Sequence, residues 1–233
     1  MGVVEPFQFS ATACARMSFD AIAPHYRWIE AVTAGNLLQR CRTAFIHELN
    51  GAGNILLIGE GRGRFLAELL TTNPNASITC VDSSRRMLNL TRASLQRSGR
   101  SCDRVQFENA DLLRWNGSEK LYDAVASHFF LDCFRPEQLE RIVATVAACS
   151  AAGARWLLSD FCVPDSGWQR VRSRLILAAL YEFFRLFTQL PASRLTSPDC
   201  CLRRAGFRLQ ARRYFNFGLL HSDVWQNEEA GRV

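Results

Sequence analysis

The chain has 233 residues, of which 48% are hydrophobic and 21% charged, and it carries a net charge of +6. That length holds one α/β domain with a full core and is short for two. The arginines behind the positive charge are scattered, not bundled into one run, which argues for a solvated basic surface and against nucleic acid as a partner.

Residues 1–16 show no clear periodicity. From Phe19 to Val32 apolar residues recur at helical spacing, with Pro24 dividing the run into two short pieces. A second helix reads from Leu37 to Leu49. Alternation of strands and helices then begins. Strand one covers Ile55–Ile58, and its helix covers Arg64–Thr72 before the stop signal Asn73-Pro74-Asn75. Strand two is Ser77–Val81, and Ser83 or Ser84 caps a helix that reaches Arg97. Strand three is Val105–Glu108 and strand four Ala124–Ser127. The next helix, Pro136–Ala151, has proline in its favoured first turn. Strand five is Arg155–Asp160, followed by a long helix over Trp168–Gln189. Ser197-Pro198 opens a short helix that closes at Gly206. The chain finishes in two strands, Phe207–Phe215 and Leu219–Trp225, joined at Asn216-Phe217-Gly218. Such alternation predicts a mostly parallel sheet with helices on both faces and one antiparallel strand from the final hairpin.

The nine cysteines form no CxxC pair, and several sit inside apolar segments. They read as reduced thiols used as small hydrophobes, with no metal site and no disulfide framework. Glu5 and Pro6 interrupt the start, so a secretory leader is not expected. Pro6 also stands where a myristoylation signal needs Ser or Thr. The most apolar run, Leu175–Phe187, contains Glu182 and Arg185 and is too short to span a bilayer. A soluble, cytoplasmic protein is the expectation.

Chemistry concentrates where strands end. Gly59, Gly61 and Gly63 follow strand one at the spacing GxGxG, where a side chain would keep the backbone from approaching a ligand. Asp82 ends strand two, about twenty residues on, where a carboxylate can accept both hydroxyls of a ribose. Asp111, His128 and Asp160 also follow predicted strands, so one site at the strand ends could draw on all of these. A dinucleotide fingerprint needs GxGxxG, but three residues after Gly63 stands Leu66, and no GK[ST] completes a Walker loop.

GxGxG followed by an acid after strand two resembles the class I S-adenosylmethionine (SAM) methyltransferases. VDSSRRML (81–88), ENADLL (108–113), FDAIAPHYRW (19–28) and WLLSDFCVP (156–164) resemble segments of their small-molecule branch, which includes the ubiquinone/menaquinone methyltransferases. The resemblance covers most of the chain, best over 19–165. It implies a single α/β domain: a Rossmann-like doubly wound sheet, mostly parallel, with an antiparallel C-terminal hairpin strand. The domain divides into an N-terminal helical cap (1–52), a cofactor-binding core (53–165), a helical lid (166–206) and a C-terminal hairpin (207–233). It also implies SAM as cofactor, with S-adenosylhomocysteine as its product, and roles for individual residues. Gly59, Gly61 and Gly63 hold the methionine portion, Asp82 the ribose, and Met87 and Asp111 the adenine, with Ser83 and Leu112 beside them. Tyr26 reaches the methionine end. Arg64, by its place after the glycine turn and not by the resemblance, is a further candidate carboxylate partner. Many members carry an acid two residues before the first glycine, where this chain has Leu57. Glu60 either serves the SAM ammonium group from a shifted place or faces solvent.

A weakly acidic acceptor needs a base. In SHFFLDCF (127–134), His128 is the first candidate because an unperturbed imidazole titrates near neutrality, and Asp132 is the second. The alternatives are that His128 bonds only to backbone and that Asp132 caps the next segment. Trp168, Tyr181, Phe183, Phe184 and Phe187, interleaved with arginines, point to an apolar or aromatic small-molecule substrate. They could equally pack on the sheet or form the face of a homodimer. An RNA methyltransferase and a non-catalytic SAM-binding partner protein are the competing readings.

Overall fold

Continuous apolar runs build the middle of the sheet. The computed structural model describes residues 35–117, 119–188 and 195–228. The helical pieces predicted over Phe19–Val32, and with them His25 and Tyr26, lie outside the described residues. Seven strands pair in the order β3-β2-β1-β4-β5-β7-β6. They are β1 (Asn54–Ile58), β2 (Ser77–Asp82), β3 (Val105–Asn109), β4 (Tyr122–His128), β5 (Ser150–Phe161), β6 (Phe207–Phe215) and β7 (Leu220–Asn227). β1 to β5 run parallel. β7 inserts antiparallel between β5 and the edge strand β6.

The helices are α1 (Gly35–Arg42), α2 (Arg64–Thr72), α3 (Arg85–Arg97), α4 (Pro136–Ala148), α5 (Gly167–Thr188) and α6 (Asp199–Arg204). Central parallel strands are buried on both faces, which is why NILLI needs no alternation. On one face Leu56, Ile58, Trp156, Leu158 and Trp225 pack with Leu139, Ile142 and Val146 of α4. On the other, Ile55, Leu57 and Leu157 meet Phe65 and Leu69 of α2 and Leu88 and Leu95 of α3. Each fully buried side chain of this size contributes about 1.5–3 kcal/mol. A third cluster joins Leu38 and Cys41 of α1 to Leu177 of α5 and to Leu219 and Leu220 at the hairpin. Among the described residues, no helix is long and apolar enough to cross a membrane.

The predicted elements are present, with differences at the ends. The helix expected over Leu37–Leu49 stops at Arg42, and a separate 3₁₀ turn covers Ile46–Leu49. Thr43 closes α1 by bonding its hydroxyl to the Gln39 carbonyl, and the chain turns there. α4 ends at Ala148 rather than Ala151. Ser150 and Ala151, expected at the end of that helix, join β5 together with residues 152–154. There Ser150 pairs with Tyr122, and Asn227 Nδ2 donates to the Ala151 carbonyl. Tertiary pairing overrides helix propensity at this point. The hairpin turn is the one expected, with Asn216, Phe217 and Gly218 all at positive φ. Arg172 braces it, donating to the Asn216 carbonyl and side-chain oxygen with its guanidinium over the Phe217 ring.

Candidate functional site

Strand order reverses between β1 and β4, and ligands of open α/β sheets bind outside the strand ends at such a point. The turn after β1 lies there. Gly59, Gly61 and Gly63 have φ of 63°, 72° and 79°, a region that side chains rarely adopt. Protein also crowds two of them. A Cβ on Gly59 would lie 2.3 Å from the Phe130 ring, and one on Gly63 would lie 2.9 Å from the Thr91 methyl. The expectation that a ligand alone demands these glycines therefore needs correcting, since backbone conformation and packing demand two of them already. The Thr91 hydroxyl fastens the turn by donating to the Gly61 carbonyl at 2.7 Å.

Glu60 does not face open solvent. It is half-buried, and its Oε1 accepts from the Phe65 and Leu66 amides at 2.9 and 3.0 Å. Gly63, the N-cap of α2, has no side chain to satisfy those amides, so Glu60 does it from three residues upstream. Burial pushes the Glu60 carboxyl up to about 7, against the pull of those amides and of Arg42. The folded, ligand-free protein therefore holds this proton more tightly than the unfolded chain, whose carboxyl titrates near 4.5. The linked stability is fully present below pH 4.5 and is lost as pH rises toward 7. Glu60→Gln keeps the acceptor oxygen and cannot ionise. Urea denaturation at pH 5 and pH 8 should show that it removes up to roughly 3 kcal/mol of this pH dependence. An unchanged dependence in the variant would assign the slope to another group.

Asp82 sits at the tip of β2, its Oδ1 accepting from the Ser84 amide at 2.8 Å. Ser84, not Ser83, caps α3, taking the Met87 amide at 3.1 Å. Met87 is buried in the first turn of that helix, while Ser83 is exposed. Asn109, which sequence reasoning missed, donates to the carbonyls of both Asp82 and Ser83 and so holds the loop that presents the carboxylate. Its signal was an amide side chain at the end of β3, beside Asp82 in register. Asp111 is exposed, and its Oδ1 accepts from the Leu113 amide in a local turn. The side chain of Leu112 is buried in the core with Val81 and Trp115. Arg64 opens α2, half-buried, and its carbonyl accepts from Gln39.

The tip of β4 is the most unusual part of the site. His128 is 7% exposed, and among the described residues neither ring nitrogen has a hydrogen-bond partner. Its ring meets Phe65 edge-on at 4.4 Å. The alternative that it bonds to backbone is therefore not what the structure shows. Burial, with the charge of Arg42 second, lowers its pKa to about 3, well away from the neutral range on which its candidacy as a base rested. The next residue, Phe129, holds φ of 54°. For a bulky side chain this costs about 1–3 kcal/mol and is found where function over-determines the backbone. Arg42 lies over the Phe129 ring, and Phe130 packs against Phe134 and over Gly59.

Asp160 does not join this group. His128 is in register with Ser159, so Asp160, one residue on, points to the opposite face. There it accepts from the amide of Asp132 at 3.1 Å, and the two buried carboxyls interact. Burial raises both of them above the ordinary range; the charge of Asp132 raises Asp160 further, while the hydrogen bond to Asp160 pulls Asp132 part of the way back, so they titrate as a pair. Asp132 does not cap α4, whose first turn closes through the Arg135 amide and Gln138. The sheet thus separates candidates that the sequence placed together, with His128 on one face and the carboxyl pair on the other.

With this geometry in place, comparison with known proteins is direct. Residues 55–153 match a family described as a methyltransferase domain. No curated protein matches the chain in sequence. An O-methyltransferase family protein from Burkholderia thailandensis superposes with a TM-score of 0.70 at 15% identity, covering 92% of this chain and 62% of that one. Mitomycin 7-O-methyltransferase gives 0.69 at 18% identity, covering 90% and 60%. The N-methyltransferase NodS from Bradyrhizobium japonicum, solved with S-adenosyl-L-homocysteine, gives 0.57 at 14% identity, covering 82% and 84%. At these identities the likeness establishes the fold, and the chain spans about three fifths of the length of the two O-methyltransferases.

Proposed function

We propose that this chain, whose residues 55–153 match a methyltransferase domain family, is a SAM-dependent enzyme that transfers a methyl group to an apolar or aromatic small molecule. The observation that carries the reading is the pairing of the left-handed glycine turn after β1 with the Asp82 carboxylate at the neighbouring tip of β2. SAM would supply an electrophilic methyl group that the acceptor atom takes in line as the sulfur of S-adenosylhomocysteine departs with the bonding pair, so the protein's task is to bind, orient and exclude water. Orientation of this kind supplies roughly 7–11 kcal/mol in favourable cases.

The residues present fit that cofactor. One oxygen of Asp82 is oriented by the Ser84 amide, which aims the carboxylate at the ribose hydroxyls. The strand-two tip, Ser83, Met87, Asp111 and the Leu112 main chain border the adenine. The glycine turn with Glu60 and Arg64 borders the methionine end. A cationic ammonium near Glu60 would favour its ionised form. His128, neutral and buried with two unpaired nitrogens, serves as a fixed hydrogen-bond partner for the bound ligand. Asp132 is paired with Asp160 on the face opposite His128, and the two carboxyls titrate together. α5 covers the acceptor, and its exposed Trp168, Val171 and Leu175, at i, i+3 and i+7, offer the face of a homodimer. The substrate class draws support from neighbours in the same fold that bear names such as mitomycin 7-O-methyltransferase.

Calorimetry with SAM, S-adenosylhomocysteine and NAD tests the reading, and NAD binding without SAM binding would sink it. Asp82→Asn keeps an oxygen for the Ser84 amide and weakens acceptance of two hydroxyls. It should lower SAM affinity ~10–100-fold with the melting temperature little changed. Unaltered affinity would remove the ribose assignment.

A further inference from the structure

A second group of buried polar residues lies outside the machinery described so far. Where the chain leaves β5, the start of α5 and the β6–β7 hairpin enclose a cavity of roughly 860 Å³. Phe161, Val163, Pro164 and Phe217 give it apolar walls, and His221 reaches it from β7. His221 is 4% exposed, and its Nδ1 lies 2.9 Å from Oδ1 of Asp223, which is fully buried. Asp223 in turn accepts from Arg212 Nε at 2.8 Å, from an Arg212 terminal nitrogen at 2.7 Å and from Trp225 Nε1 at 3.2 Å. Burial works to raise the Asp223 carboxyl, but the hydrogen bonds and charges of Arg212 and His221 outweigh it and hold the group below its ordinary range.

The result is a histidine oriented by a fixed, charged carboxylate, the arrangement by which an imidazole is prepared to accept a proton. With Nδ1 committed to Asp223, Nε2 is the nitrogen left for a ligand, and among the described residues nothing bonds to it. The charge around the cavity restricts what that ligand can be. Arg212 is paired by two carboxylates, since Asp199 takes its terminal nitrogen at 2.9 and 3.0 Å. A carboxylate or phosphate ligand would meet no unpaired cation there and would face Asp165 and Asp199. A neutral molecule with an apolar body and one acidic hydroxyl fits both the walls and the single acceptor nitrogen.

We infer that this cavity seats the methyl acceptor and that His221 accepts the hydrogen bond, and then the proton, of a phenolic or enolic hydroxyl on it. The inference rests on the methyltransferase reading. The proton passes from the hydroxyl oxygen to His221 Nε2, the oxygen keeps the electron pair, and Asp223 holds the imidazolium through Nδ1–H.

The test uses the full chain saturated with S-adenosylhomocysteine and titrated with 4-nitrophenol, whose ionised form is coloured. Binding should generate the phenolate band at a pH where the free phenol is still protonated. His221→Gln should weaken binding at least about tenfold and abolish the band, with S-adenosylhomocysteine affinity unchanged. Gln169→Trp, which fills the cavity without touching the dyad, should exclude the probe as well. Equal binding and colour in His221→Gln, undiminished binding in Gln169→Trp, or no binding of 4-nitrophenol by the loaded parent protein would each overturn the inference. Failure of S-adenosylhomocysteine itself to bind would overturn the methyltransferase reading beneath it.

Discussion

Replacing His128 with leucine should make the ligand-free protein more stable and disable it. Both ring nitrogens are buried without a partner among the described residues, and leaving such groups unsatisfied costs about 1–3 kcal/mol. Leucine has a similar volume, carries no polar atom and can keep the contact with Phe65. Thermal denaturation should show a rise of several degrees, given roughly 2–4 °C per kcal/mol for a chain of this size. Methyl transfer should fall by ~10²-fold or more, because the side chain the ligand would bond to is gone. A variant that is destabilised would mean that the imidazole is satisfied in the protein itself. A variant that is stabilised and fully active would remove His128 from the site. The joint outcome, stability gained and activity lost, is the signature of a polar group kept for function.

Asp223→Ala should have the largest effect on folding. The carboxylate is fully buried and accepts four hydrogen bonds from Arg212, Trp225 and His221. Its removal leaves a half-buried guanidinium with only Asp199 and two ring nitrogens with no acceptor. Breaking a buried charge pair from one side costs about 3–5 kcal/mol. The melting temperature should drop by roughly 10 °C or more. Asp223→Asn, which keeps an acceptor oxygen while losing the charge, should fall between the parent and the alanine variant. A change of only a degree or two in the alanine variant would show that water replaces the carboxylate at little cost. These residues tie β6, β7 and α6 together, so the loss should appear first as loosening of the sheet edge. Hydrogen exchange in β6 would detect it.

Much of the candidate cofactor half of the site could be read from the chain. Gly59, Gly61, Gly63 and Asp82 declare themselves by spacing after strands, and the cap after β2 needed only a choice between Ser83 and Ser84. The proposed acceptor half was less legible. His221 and Asp223 sit in a strand that is buried almost throughout, yet nothing local marks polar residues there as a paired dyad. Arg212, which fixes Asp223, lies on the neighbouring edge strand. Glu60 looked like a displaced cofactor ligand or a surface residue. It proved to cap α2 because its reach over the glycine turn can be seen only once the turn is folded. His128 and Asp160 both follow strands, and period-two geometry sends them to opposite faces only when the register of β4 with β5 is known.

The sequence alone determined the elements, their order and the left-handed glycine turn proposed to receive the cofactor. These depend on local physics: apolar runs that must be buried, glycines that tolerate positive φ, serines that cap helices. The tertiary structure decided which side chains meet. Phe130 covers Gly59, Ser159 bonds to Cys41 and Cys41 in turn to His221 across 180 positions of chain. Such contacts follow from strand order and register, and whether a buried histidine is paired or left waiting for a ligand is settled only when distant strands lie side by side.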